Sequence, residues 1–161
     1  AADRGRTLKF GVLASVIVRD TEEQAWDRFE WQLARTRPET VLATADRNLK
    51  SFGYPGLDEL TSDDPQVLAR IEALRAGPDR SALEFAPNMA AGLTTWTAAE
   101  PPFDIAGKGT GTYFVGSAEN VATAMRTVGE QAGVDAWILS GWPLAREAEI
   151  AAELLLPLLS N

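Results

Sequence analysis

Hydrophobic and polar positions along the chain predict strands and helices in turn, beginning near the N-terminus. Residues 8–18, "LKFGVLASVIV", carry no charge after Lys9, which is typical of a strand covered on both faces. Thr21–Gln24 then form a capping box that predicts the start of a helix. Apolar side chains continue at helical spacing, at Trp26, Phe29 and Leu33. The pattern predicts a buried strand followed by an amphipathic helix.

The middle of the chain has a weaker pattern. A short helix is predicted around residues 40–49, followed by the loop "SFGYPGLDE". Asp64–Pro65 is typical of an N-cap with proline at the first helical position, and Gly77–Pro78 is typical of a helix stop. The apolar face of this helix is predicted at Val67, Leu68, Ile71 and Leu74. We expect a second strand in "ALEFAPNMAAGL", broken at Pro87.

The C-terminal third returns to strong alternation after a loop. Residues 97–112, "TAAEPPFDIAGKGTGT", have no usable period and predict a long mobile loop. A short strand at 113–116 leads into a helix capped by Ser117 and ended by Gly133. "VDAWILSG" predicts the next strand, which its apolar residues lead us to expect to be buried, and residues 146–156 predict a last helix that ends at Pro157.

Strands that alternate with helices predict an α/β fold built from parallel βαβ units. Two architectures accommodate this order of elements. One is an open doubly wound sheet, and the other is part of a (β/α)8 barrel.

Composition narrows the function classes. The chain has 161 residues, enough for one domain, and a formal net charge of −8. That charge disfavours nucleic acid and anionic membranes as partners.

Cysteine and histidine are both absent, so thiol and imidazole chemistry are excluded and a metal site would have to use carboxylates. The absence of cysteine fits a reducing compartment, and we expect a cytoplasmic protein. Because the chain starts at Ala1 without methionine, we expect a processed product or a fragment.

Two segments are candidates for ligand binding. Gly107–Gly111, with Lys108 between Gly107 and Gly109, would let backbone amides and one cation approach an anion, although a surface loop explains the same residues. Ser140–Pro143, "SGWP", follows a predicted strand directly, and ligands bind at that edge of parallel sheets. From position alone, Trp142 fits a pocket wall and a core cap equally well. Ser15 fits a backbone-bonded hydroxyl or a pocket residue, and Trp96 fits a ligand cover.

Three stretches resemble the bacterial luciferase-like flavin monooxygenases, most closely the alkanesulfonate monooxygenase branch. They are "GRTLKFGVLASVIVRDTEEQAW", "LEFAPNMAAGL" and "YFVGSAENVATAMRTVGEQAGVDAWILSGWPLAREAEIAAELLLPLL". The resemblance implies the C-terminal half of a (β/α)8 barrel, because a complete barrel takes about 250 residues. It further implies a missing N-terminal half or a partner chain, and an oligomer.

The resemblance also implies reduced FMN supplied by a separate flavin reductase, and oxidation of an organosulfur or other small organic substrate. A pocket would be formed by Leu13, Ser15, Ser140, Gly141, Trp142 and Leu144, with Lys108 closing over an anion. No catalytic residue is assigned.

The chain departs from the branch at positions that hold its sulfonate. Leu13 and Ser15 replace an Arg and a His, and Gly107, beside Lys108, replaces a loop Arg. Trp142 replaces a Tyr, and Leu144 replaces a second His. Because a sulfonate needs cations at short range, we expect a more neutral, apolar substrate. Two alternatives remain: a deazaflavin-dependent oxidoreductase of the same fold, and a non-catalytic half-barrel subunit.

Overall fold

Five strands and seven helices are assigned in the computed structural model. It describes residues 8–51, 53–77, 79–91 and 112–160. In chain order the elements are β1 Gly11–Arg19, α1 Glu22–Leu33, α2 Pro38–Ser51, α3 Pro65–Ala76, α4 Arg80–Leu83, β2 Glu84–Ala86, β3 Met89–Ala91, β4 Thr112–Ser117, α5 Ala118–Ala132, β5 Ala136–Ser140, α6 Leu144–Ile150, a π-helical turn Ala151–Leu155 and α7 Leu156–Leu159. No helix among these ranges is both long and apolar enough to cross a bilayer.

The strands form one mixed sheet in the order β2-β3-β4-β1-β5. β1 pairs in parallel with both β4 and β5, whereas β2 and β3 add an antiparallel ribbon. The α/β class is therefore as predicted, but the sheet is not all parallel. Consecutive strands of a (β/α)8 barrel pair with each other, which would place β4 beside β5. Here β1 lies between them, and this is the strand order of an open sheet.

The predicted strand "ALEFAPNMAAGL" is instead a short helix followed by a tight hairpin. α4 ends at Leu83, and β2 and β3 flank the turn at Pro87–Asn88. Proline cannot donate a ladder hydrogen bond, and Asn88 has a φ of 62°, which asparagine tolerates better than most residues. These two residues reverse the chain and make the ribbon antiparallel.

Two apolar clusters, one on each face, enclose the sheet. One joins Ile17, Tyr113 and Val115 of the strands to α1, α2 and α4 through Trp26, Phe29, Val41 and Leu83. The other joins Val16, Val18 and Phe114 to α5 through Val121 and Met125, and to the C-terminal helix through Leu155. The C-terminal helix is the continuous segment formed by α6, the π-helical turn and α7. Because β1 sends successive side chains to the two clusters, both of its faces are covered, and this explains why its run is mostly apolar.

β5 lies at an edge of the sheet and is not the buried strand that its sequence predicts. Ile138 is 61% exposed, and no residue of β5 is fully buried. A strand with a single neighbour leaves one row of backbone groups unpaired. The apolar composition of "AWILS" therefore does not reflect burial by the residues that the structure describes.

Most predicted helix ends are confirmed. Thr21 accepts a hydrogen bond from the Gln24 amide, Asp64 caps α3, and Gly133 ends α5 in the left-handed region. The short helix predicted at 40–49 is the longer α2. The predicted stop at Pro157 is wrong, because a π-helical turn precedes α7 and Pro157 lies in the first turn of that helix, where no amide donor is needed.

Candidate ligand site at the carboxyl end of the sheet

Two predicted site residues meet through the pairing of β1 with β5. Ser15 and Ser140 are register partners, and their Oγ atoms lie 3.1 Å apart. Leu13 is paired with the exposed Ile138 on the same face, two residues earlier. The sequence predicts Ser15 and Ser140 on different strands, and the parallel register of β1 with β5 places them side by side.

A third hydroxyl continues this row on the other side of Ser15. Tyr113 is the β4 register partner of Ser15, is 2% exposed and hydrogen-bonds to the Ser15 side chain. Burial raises the pKa of Tyr113 to about 12, and the hydrogen bond from Ser15 offsets only part of that effect. The phenol is therefore neutral at ordinary pH. The row donates and accepts hydrogen bonds but does not supply an acid or a base.

A cavity of about 300 Å³ lies between β5 and the C-terminal helix. Most of its wall is apolar, and the residues on it are Val16, Trp137, Leu139, Ser140, Gly141, Leu144, Glu147, Ala148, Ala151, Ala152 and Leu156. Three of the predicted pocket residues, Ser140, Gly141 and Leu144, are among them. Leu144 is 60% exposed, so the cavity opens to solvent beside it.

Gly141 lets the C-terminal helix approach the end of β5. A Cβ atom at this position would lie 2.6 Å from Glu147 Cβ and 3.2 Å from the Val16 carbonyl oxygen. The first distance is far below van der Waals contact, so only glycine fits without a shift of the helix. The glycine of "SGWP" therefore sets the position of Glu147 on the cavity wall.

Trp142 does not line this cavity. Its ring stacks on Trp31 of α1, with centroids 6.3 Å apart and planes inclined by 29°. Its carbonyl oxygen accepts hydrogen bonds from Arg28 Nη2 at 3.0 Å and from the buried Gln32 Nε2 at 2.8 Å. Trp142 therefore attaches the end of β5 to α1. This contact fits the interpretation of Trp142 as a core cap better than its interpretation as a pocket wall.

Sequence reasoning missed a cluster of charges at this edge. Glu147, whose side chain is 2% exposed, accepts from Arg19 at 2.9 and 2.8 Å and from Arg28 Nε at 3.2 Å. The two arginines come from β1 and α1, more than a hundred residues away in sequence. The sequence does show a charged residue, Arg19, directly after an apolar strand run. It does not show which residue Arg19 contacts.

A second carboxylate, Glu22, connects α1 to the end of β4. It accepts from the Ser117 amide and Asn120 Nδ2, both at 3.0 Å, from Trp26 Nε1 at 3.1 Å, and from Asn88 Nδ2. Burial acts to raise the pKa of Glu22, but these four hydrogen bonds together outweigh it and lower the pKa. With its oxygens engaged in this way, Glu22 is a structural link between elements.

The remaining predicted positions lie outside the described residues. They are Gly107, Lys108 and Gly109, together with Trp96 and the predicted loop at 97–112 up to residue 111. Residue 112 opens β4.

No protein-family model matches the chain. This edge of the sheet has an apolar cavity on the face of Val16 and Leu139, a row of neutral hydroxyls on the opposite face, and a buried carboxylate held by two guanidinium groups. The cavity is suited to enclosing an apolar or flat ligand.

Proposed function

We propose that this chain is part of a reduced-FMN-dependent monooxygenase of the luciferase-like family, acting on an organosulfur or other small organic substrate. The observation that carries the proposal is the apolar cavity at the carboxyl end of β5. Ser140, Gly141 and Leu144 lie on its wall, and the resemblance to the family implies pocket roles for the same three positions. Ligands of parallel α/β folds bind at this edge.

The chemistry of the cavity wall fits a flavin ring or an apolar substrate. Trp137, Leu139 and Leu156 supply apolar surface, and Ser140 and Gly141 line the part of the wall where β5 ends. A volume of about 300 Å³ is at the lower end for ligand sites, so the cavity would enclose part of a flavin or one small substrate. Reduced flavin, when bound, supplies the oxygen chemistry. The chain's own residues would orient the bound group and exclude water from it.

The proposal includes a partner that completes the sheet. Among the described strands β5 has a single neighbour, and exposed Ile138 lies beside the half-buried Leu13. Both features are expected if a missing N-terminal half-barrel or a partner chain adds strands at this edge. A separate flavin reductase in the cytoplasm would supply the reduced cofactor.

A titration followed by tryptophan fluorescence tests cofactor binding. We expect oxidised or anaerobically reduced FMN to quench the fluorescence and to raise the melting temperature, because Trp137 lies on the cavity wall. Leu144→Asp, which places a carboxylate at the mouth of the cavity, should weaken binding at least about tenfold. Val67→Asp on the exposed surface of α3 is the matched control and should bind as the parent does.

The same titration distinguishes the alternatives. Binding of a deazaflavin in place of FMN would indicate an oxidoreductase that uses that cofactor. Binding of neither, by the chain alone and by its complex with a partner, would contradict the flavin proposal.

A non-catalytic subunit is the second candidate, and one observation favours it. Glu147 is the one ionisable side chain on the cavity wall as described, and Arg19 and Arg28 already engage it. The cavity wall as described therefore carries no ionisable side chain that is not already engaged by another residue. A stable complex that binds no flavin would support this candidate.

A further inference from the structure

We propose that Arg19 and Arg28 form a binding site for a phosphate group, inorganic or carried by an organic ester, beside Glu147. The site lies at the carboxyl end of β1, where α1 and α6 meet the sheet. It does not depend on flavin binding, although the backbone carbonyl of Trp142 holds Arg28 and Glu147 also lies on the cavity wall.

The first observation is an imbalance of charge in a partly buried cluster. Two guanidinium groups face one carboxylate, and the side chains of Arg19, Arg28 and Glu147 are 19%, 18% and 2% exposed. Within the described ranges, no other carboxylate forms an ion pair with either arginine. Counted over the described residues, the cluster therefore carries one excess positive charge in a protein whose formal net charge is −8. Because the cluster is mostly screened from water, its positive charge attracts an anion more strongly than the same charge would on an open surface.

The second observation is the number of guanidinium donors that remain. Arg19 uses three of its five N–H groups, on the Val18 carbonyl and on both oxygens of Glu147. Arg28 uses two, on Glu147 and on the Trp142 carbonyl. Five donors on the two side chains thus have no acceptor among the residues that the structure describes. A phosphate group matches them because it has several acceptor oxygens and pairs with guanidinium in a fork geometry.

The third observation is that the arginines are held in place before any ligand binds. Arg19 is fixed by a two-point contact with Glu147, and Arg28 lies 4.1 Å from the centroid of the Trp31 ring while donating to Trp142. Little side-chain entropy is left to lose when an anion binds. Glu147 thereby orients the cations and also competes with the anion for them.

Isothermal titration calorimetry with inorganic phosphate, at constant ionic strength, tests the site. Arg28→Gln should weaken phosphate binding at least about tenfold, because it removes one charge and several donors. Glu147→Gln should tighten binding, because it removes the competing carboxylate. Arg146→Gln makes the same change of charge as Arg28→Gln one residue from Glu147, on a side chain that is 68% exposed, and should change the affinity less than about twofold.

Weaker phosphate binding in Arg28→Gln than in Arg146→Gln would support the site, because a diffuse effect of net charge would be equal in these two variants. If Glu147→Gln does not fold, as judged by circular dichroism, the Arg28 and Arg146 variants decide the question. The proposal is overturned if the parent shows no phosphate binding, or if Arg28→Gln and Arg146→Gln weaken it equally. A parallel titration with glycerol 3-phosphate distinguishes the two sources: tighter binding than inorganic phosphate assigns an ester, and weaker binding assigns the free ion.

Discussion

At the scale of single residues, Gly141 determines how closely the C-terminal helix packs on β5. We expect Gly141→Ala to destabilise the protein by about 1–3 kcal/mol, because its Cβ would lie 2.6 Å from Glu147 Cβ. Gly129→Ala is the matched control. Gly129 lies inside α5, and a Cβ there would meet its nearest atoms at 3.7 Å, so alanine should stabilise the helix by about 0.5–1 kcal/mol. Urea unfolding of the two variants measures both changes. A loss of stability at Gly129 as large as that at Gly141 would contradict the packing argument.

Residues also show where prediction from sequence succeeds and where it fails. Thr21, Asp64 and Ser117 were predictable as caps because a cap acts on amides two or three residues away. The contacts of Glu147 with Arg19 and Arg28 were not, because they join residues 128 and 119 positions apart. Trp142 shows the same limit. Its position after a strand was clear, but its stacking on Trp31 depends on how α1 packs.

At the scale of elements, the sequence predicts the three long strands but not their order. The local sequence pattern determines where strands and helices begin and end. Which strands pair with each other depends instead on which faces of the sheet the helices cover. The apolar run of β1 is consistent with a central strand, and the structure places it there. The similar run in β5 gave the wrong expectation, since the same composition occurs at an unpaired edge. The pocket residues contributed by β1 and β5 depend on this pairing.

Engineered cysteines test the strand order directly, because the natural chain has none. Leu13 and Ile138 are register partners on one face, so Leu13→Cys with Ile138→Cys should form an intramolecular disulfide on mild oxidation. Thr112→Cys with Leu139→Cys should not, because β1 separates these strands by roughly twice the 4.8 Å spacing. Free-thiol titration and non-reducing electrophoresis report the result. Bridging of the second pair in place of the first would instead favour the consecutive order of a barrel.

At the scale of the whole molecule, the exposed edge of β5 conflicts with the overall charge. A formal net charge of −8 makes copies of the chain repel one another, which favours monomers. β5 carries no charged side chain and no proline, the usual protections of an edge strand, and it exposes Ile138. If copies of the chain associate, we expect them to do so through apolar contact and strand pairing at the β5 edge. The electrostatic repulsion between the copies opposes this association.

This balance predicts how self-association responds to mutation and to salt. We expect light scattering to give a mass above the 17.4 kDa of one chain, and the excess to grow with salt, because screening reduces the repulsion. Ile138→Lys places a charge on the edge and should restore the mass of a monomer. Val67→Lys makes the same chemical change at a position on α3 that is 42% exposed, and should leave the mass of the parent unchanged. A parent that stays monomeric at all salt concentrations would show that the β5 edge does not pair with a second copy. Ile138 lies on the unpaired strand and Val67 does not. If both lysine variants change the mass equally, the change is therefore due to the added charge and not to strand pairing at β5.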